Sequence, residues 1–150
     1  MRGTGEKPVR ILLAEDNNAD VWLIEEALRR QSLAFQLDHH LTAAQAIDAV
    51  KKCGFDGAPV PDLILLDYNL PGGQGLEILQ AAAANPNLSG QPKAILSSFL
   101  RPNELEDVIG MGALCFIPKP SSLAEFLHDV GTKVVELLNT NSASHGTAAK

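Results

Sequence analysis

Acidic, hydroxyl and amine side chains stand where four apolar runs of the chain end. Glu15 and Asp16 follow the first aliphatic run, Asp67 ends a central one, Ser97 ends a later one, and Lys119 follows the last. Carboxylates about 5 Å apart repel by roughly 3 kcal/mol at an effective dielectric constant near 20, so three of them together need a cation or raised pKa values. Oxygen ligands of this kind suit Mg²⁺, and the amine and hydroxyl suit a phosphoryl anion.

The elements that must position these side chains are short aliphatic strands. Leu63 to Leu66 are four branched aliphatic residues in succession, which is typical of a strand buried on both faces of a parallel sheet. The turn residues from Asn69 to Gly73 cannot extend a central strand, so Asp67 lies at its carboxyl end. Mostly apolar runs predict further strands at 9–14, 93–98 and 113–117, and the alternating segment 35–40 predicts a half-exposed edge strand.

Helical patterns alternate with these strands. These patterns predict helices at about 19–31, at 76–84, at about 103–109 and from 122 to about 138. A further helix begins with a capping box at 42–45. Five alternations predict an α/β fold, a doubly wound five-stranded parallel sheet with five helices and right-handed crossovers. The flavodoxin-like strand order 2-1-3-4-5 brings the ends of the first and third strands together, and Pro118 favours an edge position for the fifth.

Composition indicates one globular domain. The chain has 150 residues, of which 45% are hydrophobic and 20% charged, with a formal net charge of -6. Residues 1–8 are expected to form a flexible leader, 9–138 the domain, and 139–150 a disordered tail. The acidic balance argues against binding to nucleic acid, and no apolar run approaches the roughly 20 residues that span a bilayer, so we expect no membrane association and a cytoplasmic location.

The motifs at the strand ends resemble those of the receiver domain of two-component response regulators. The likeness covers about residues 9 to 138, with every motif in order. The motifs are Glu15-Asp16, Leu65-Leu66-Asp67-Tyr68-Asn69-Leu70-Pro71, Ser97, and Phe116-x-x-Lys119-Pro120.

This resemblance implies a phosphoacceptor and a metal site. Asp67 would take a phosphoryl group from a phosphohistidine on a sensor histidine kinase or a phosphotransfer protein. Asp16, Asp67 and the backbone carbonyl of Asn69 would ligate Mg²⁺ directly, with Glu15 acting mainly through water. The resemblance thus implies the same Mg²⁺ cofactor that the acids already suggest, and it adds the backbone carbonyl of Asn69 as a ligand.

The resemblance also implies a switch. Lys119 would pair with the phosphoryl oxygens, the Ser97 hydroxyl would swing toward them, and Phe116 would turn inward as Ser97 moves. The Lys119–Pro120 peptide bond would be cis. Without the family, Phe116 is simply a core aromatic residue, and that alternative stays open.

The expected output runs through protein contacts. Nothing after residue 138 resembles a DNA-binding or catalytic segment, so we expect a stand-alone receiver that signals to an unidentified downstream protein. It is not expected to be an enzyme, apart from slow autodephosphorylation. The segments 16–21 and 66–71 are also similar to small response regulators that partner phytochrome-type histidine kinases, and this narrower likeness suggests homodimerisation.

Two other functions fit the same fold. A Mg²⁺-dependent aspartyl phosphatase would need a second acid two residues after its nucleophile to donate a proton, and position 69 is Asn. The second alternative is an interaction module that does not depend on phosphorylation. The presence of Asp16, Asp67, Ser97 and Lys119 together argues against it.

Overall fold

One five-stranded parallel sheet organises the computed structural model, which describes residues 7–148, with nothing described of the side chains at 73–74 and 140–148. The strand order β2-β1-β3-β4-β5 confirms the predicted topology, and every neighbouring pair is parallel. All five residues of the central strand are buried. The strands of this sheet are β1 (Val9–Ala14), β2 (Phe35–His40), β3 (Leu63–Asp67), β4 (Lys93–Ser97) and β5 (Cys115–Pro118), and Asn69–Leu70 pairs antiparallel with Gly73–Gln74 outside it.

Five helices in the described part of the chain connect and follow the strands. Asn17 caps the first helix by accepting hydrogen bonds from the backbone N–H groups of Ala19 and Asp20, and Thr42 caps the second in the same way with Gln45. The helices are α1 (Asn18–Arg30), α2 (Ala43–Lys52), α3 (Gly75–Ala83), α4 (Pro102–Gly110) and α5 (Leu123–Ala148), with one 3₁₀ turn at Pro86–Leu88.

The two faces of the sheet carry separate apolar clusters. Alternate residues of β1 and β3 point to opposite faces, because successive side chains of a strand alternate. Leu12 and Ile64 lie in the cluster that contains residues of α2, α3 and α4, whereas Ile11 and Leu63 lie in the one that contains residues of α1 and α5. Packing on both faces thus sets the positions of the strand ends, where the site lies.

Most helix boundaries lie within a residue or so of the prediction, and two differences, at the start of α4 and the end of α5, have a clear physical reason. α4 begins at Pro102 rather than at a cap on Asn103, because proline suits the first helical position and the backbone N–H of Arg101 donates to Oε1 of Glu104 at 2.8 Å. α5 continues past Leu138 to Ala148, since the residues that follow Leu138 include no proline to stop it. The disordered tail stays a prediction, and most of the predicted leader lies outside the described residues.

Candidate functional site

The strand register brings the chemically active residues to one rim of the sheet. Ala14 of β1 lies beside Leu66 of β3, so Glu15 and Asp67 leave neighbouring strands at the same level. Ser97 of β4 lies beside Pro118 of β5, so Lys119 emerges one step further along the same rim. The rim is therefore formed by the carboxyl ends of four parallel strands, where ligands bind in open α/β sheets.

Three acids converge there as predicted. Glu15, Asp16 and Asp67 each offer a carboxylate oxygen, and these atoms all lie within 4.8 Å of one another. Glu15 and Asp67 are buried, and Asp16 is exposed. Buried carboxylates so close together need a positive charge.

Lys119 supplies a positive charge to this cluster. Its Nζ atom donates to Oε1 of Glu15 at 2.7 Å, to Oδ2 of Asp20 at 2.9 Å and to Oδ2 of Asp67 at 3.1 Å. Its backbone N–H donates to the carbonyl oxygen of Ser97 at 2.9 Å, which anchors the loop from which the side chain reaches in. Asp20 was not among the predicted site residues, and its sequence signal is an acid in the first turn of a helix that begins at the rim.

Proton affinities within the cluster are shifted by burial and by charge. Burial raises the pKa of Glu15 to about 7, although the hydrogen bond from Lys119 opposes this shift and the nearby Asp67 adds to it. Burial by itself lowers the pKa of Lys119, but the hydrogen bonds to Glu15 and Asp20 outweigh it and leave that pKa above its usual range. Lys119 is thus held charged, whereas Glu15 titrates near neutral pH.

The turn after β3 fixes the carboxylate of Asp67. The backbone N–H of Asn69 donates to Oδ1 of Asp67 at 3.1 Å, so each carboxylate oxygen accepts one bond from the protein. The N–H of Gly75 donates to the carbonyl of Tyr68 at 2.7 Å and closes the turn. The role of the Asn69 carbonyl as a metal ligand stays a prediction.

Ser97 and Phe116 lie beside the acids rather than in contact with them. The buried Ser97 hydroxyl donates to the carbonyl of Phe99 at 2.9 Å, and the N–H of Phe99 donates to Ser97 Oγ at 3.3 Å. Phe116 is half-buried and packs against the apolar cluster that contains Val108 and Ala113. Their roles in switching stay predictions.

The expected cis Lys119–Pro120 bond is wrong, because the described residues contain no cis peptide bond. With this bond in the trans form, Lys119 Nζ already contacts the carboxylates, so the observed contacts do not require the less favourable isomer.

The donor set at the rim fits a hard divalent cation. Every candidate ligand is an oxygen. The ammonium of Lys119 compensates only part of the negative charge that the carboxylates of Glu15, Asp16, Asp20 and Asp67 can carry. Magnesium uses few carboxylates and retains water, so this cluster has the right chemistry for it. An exposed Asp16 beside two buried acids also leaves one side open to solvent and ligands.

Comparisons with known proteins identify the family of this chain. Residues 11–131 match the model of the response regulator receiver domain. Response regulator Rcp1 of Synechocystis sp. is 29% identical over 83% of this chain and 86% of its own length. Two-component response regulator ARR17 of Arabidopsis thaliana is 30% identical over 91% of this chain and 90% of its own length.

Solved structures of response regulators are also similar to this chain. The phosphorylated cyanobacterial phytochrome response regulator RcpA is 29% identical, with a TM-score of 0.80 over 89% of this chain and 96% of that one. The Mn²⁺-bound form of response regulator Rcp1 is 28% identical, with a TM-score of 0.74 over 83% of this chain and 91% of that one. No described helix combines the length and hydropathy needed to cross a membrane. The chain belongs to the response regulator receiver domain family.

Proposed function

We propose that this chain accepts a phosphoryl group on Asp67 from the phosphohistidine of a sensor kinase or a phosphotransfer protein. Receiver domains as a family are phosphorylated by such a partner and are not classical enzymes. The observation that carries the proposal is that Asp67 Oδ2 lies 3.1 Å from Lys119 Nζ and within a cluster that includes Glu15 and Asp16. These are the charges that phosphoryl transfer to a carboxylate needs.

The transfer step requires positioning more than covalent chemistry. A carboxylate oxygen of Asp67 forms a bond to phosphorus while the bond from phosphorus to the imidazole nitrogen breaks, and the electron pair leaves with that nitrogen. Charge spreads over the three equatorial phosphoryl oxygens in a loose transition state. Lys119, whose ammonium is held charged by its carboxylate partners, would stabilise part of that charge.

A divalent cation would stabilise the remaining charge. In this proposal Asp16, Asp67 and the backbone carbonyl of Asn69 would hold Mg²⁺, with Glu15 acting mainly through water. The bound ion supplies electrostatic neutralisation of the phosphoryl oxygens. Support comes from the oxygen-only cluster within 4.8 Å and from the similar Rcp1, whose structure is described as an Mn²⁺-bound form.

Signal output is proposed to run through protein contacts. The Ser97 hydroxyl would leave the Phe99 carbonyl for the phosphoryl group, and Phe116 would then turn further inward. The exposed apolar side chains of Ile109 and Leu114 offer surface for a protein partner near β5. The likeness to RcpA, which is a phytochrome response regulator, favours a phytochrome-type kinase as the partner in this proposal. A homodimer and a cytoplasmic location stay predictions.

Intact-mass spectrometry tests the proposal. Wild-type protein is incubated with acetyl phosphate and Mg²⁺, beside Asp67→Asn and a control, Asp62→Asn, which changes the acid just before the other end of β3. We expect the mass of one phosphoryl group on wild type and the control, none on Asp67→Asn, and slow loss of the adduct after the donor is removed. Turnover of phosphate esters would instead support the phosphatase, and no adduct on any variant would support the phosphorylation-independent module.

A further inference from the structure

Asp20 contacts the same ammonium as the acids of the site. It lies in the first turn of α1, and its Oδ2 accepts a hydrogen bond from Lys119 Nζ at 2.9 Å across 99 residues of sequence. Its backbone is held in place because the Asn17 side chain accepts from the Asp20 N–H at 3.2 Å. Asp20 is therefore fixed by the cap of α1 in a position from which it reaches Lys119.

The ammonium of Lys119 has no donor left for a further partner. A lysine ammonium carries three N–H donors. Glu15, Asp20 and Asp67 accept at 2.7, 2.9 and 3.1 Å, which assigns one donor to each carboxylate. A phosphoryl oxygen can bind Lys119 in the same place only if one of these carboxylates gives up its bond.

Exposure decides which carboxylate gives way. The Glu15 side chain is 0% exposed, so its release would leave a buried charge without a partner. Asp67 is the residue that carries the phosphoryl group. The Asp20 side chain is 22% exposed and lies at the amino end of a helix, where water and the helix dipole stabilise a free carboxylate. Release of Asp20 costs least.

We propose that Asp20 is a positioning residue that holds Lys119 in a resting position and yields it to the phosphoryl group. This inference rests on the proposed function of Asp67. Because Asp20 competes with the phosphoryl oxygens for one N–H donor, it weakens the binding of the phosphoryl group and of its mimics. Removing its charge should therefore improve such binding, unlike removal of any ligand of the metal or the phosphoryl group.

Beryllofluoride, a mimic of the phosphoryl group, provides the test. Its affinity in the presence of Mg²⁺ is measured by calorimetry for wild type, Asp20→Asn and Asp20→Glu. We expect about tenfold tighter binding to Asp20→Asn, because a charge-assisted hydrogen bond no longer competes. Asp20→Glu, which keeps the carboxylate, should stay within about threefold of wild type. Glu25→Gln removes one negative charge from the same helix and should bind as wild type does.

The effect must also run through Lys119. In a Lys119→Gln background, Asp20→Asn should change the affinity less than about twofold, which is the signature of two coupled residues. A general loss of negative charge would act equally in both backgrounds and would overturn the inference. Asp20→Ser serves as a second charge-removing variant that keeps a polar residue in the first turn of α1, and circular dichroism confirms folding of each variant.

The results separate this inference from the proposed function. Wild-type affinity or weaker binding in both Asp20→Asn and Asp20→Ser would overturn the positioning role while leaving Asp67 as the phosphoacceptor. Failure of wild type itself to bind beryllofluoride with Mg²⁺ would overturn the proposed function and this inference with it.

Discussion

Lys119 Nζ lies 3.1 Å from Asp67 Oδ2 although 52 residues separate them in the chain. β4 stands between the strands that carry them, and the hydrogen bond from the Lys119 N–H to the Ser97 carbonyl ties the lysine to that strand. An edge strand thus delivers a cation to a carboxylate on the central strand. The same ion pair therefore contributes both to the stability of the rim and to the charge around Asp67.

Removing the cation should destabilise the fold more at high pH. Lys119→Met should lower the free energy of unfolding by about 3 kcal/mol at pH 8, because the buried Glu15 then loses its cation and is left either as an unpaired anion or with a proton that it must take up from alkaline solution. Burial raises the pKa of Glu15 to about 7, above its ordinary 4.5, so folding favours the protonated acid. That contribution to stability is present at low pH and is lost as pH rises through about 7.

The loss caused by Lys119→Met should therefore be smaller at pH 5.5 than at pH 8. Urea denaturation at the two pH values measures it. Lys51→Met, which changes an exposed lysine of α2, serves as the control and should cost little at either pH. Equal losses for Lys119→Met at both pH values would contradict the link to Glu15.

Divalent metal binding should strengthen with pH around neutrality. A proton on Glu15 removes one negative charge from the cluster, and its pKa of about 7 means that this proton is lost between pH 6 and pH 8. We expect the apparent affinity for Mg²⁺ to rise about tenfold over that range. Calorimetry at both pH values checks it. Glu15→Gln should flatten the dependence, and an equally steep dependence in that variant would assign the effect to another group.

The backbone at Gly75 should not tolerate a side chain. A Cβ atom there would lie 2.9 Å from the carbonyl oxygen of Asp67 and 3.2 Å from Cα of Tyr68, so the turn that holds the phosphoacceptor would have to move. Gly75→Ala should cost about 1–3 kcal/mol and weaken Mg²⁺ binding. Gly90→Ala meets no atom within 4 Å and is the matched control in thermal denaturation. Wild-type stability and metal affinity in Gly75→Ala would show that the turn relaxes freely.

The Ser97 hydroxyl should contribute to binding of the phosphoryl group. In the structure Ser97 Oγ donates to the Phe99 carbonyl at 2.9 Å, so its transfer to the phosphoryl group exchanges one bond for another. Ser97→Ala should weaken beryllofluoride binding about tenfold, since one hydrogen bond to an anion is lost. Ser97→Thr keeps the hydroxyl and should stay close to wild type. Identical affinities for all three proteins would show that the Ser97 hydroxyl does not bind the phosphoryl mimic.

Much of the fold followed from local patterns. Buried parallel strands need uninterrupted aliphatic runs, and such a run marks β3 at 63–66 without any knowledge of its neighbours. The convergence of Glu15, Asp16 and Asp67 also followed, because the carboxyl ends of parallel strands meet at one rim. These features depend only on strand order and register.

Other features depend on contacts between distant segments. Asp20 reads as an ordinary acid in the first turn of a helix, and its contact with Lys119 depends on how α1 is rotated against the loop after β5. The start of α4 was misplaced because Asn103 is a good cap, whereas Pro102 and the Arg101–Glu104 hydrogen bond determine the first turn. A pattern of residue types does not distinguish such competing contacts.

Mapping the phosphoryl group to a residue tests the central claim most directly. Wild-type protein phosphorylated with acetyl phosphate and Mg²⁺ is treated with borohydride, which reduces an acyl phosphate to an alcohol, and is then sequenced by tandem mass spectrometry. We predict the reduced side chain at position 67 and at no other acid of the cluster. A reduced Asp16 or Glu15, or an adduct that resists borohydride, would contradict it.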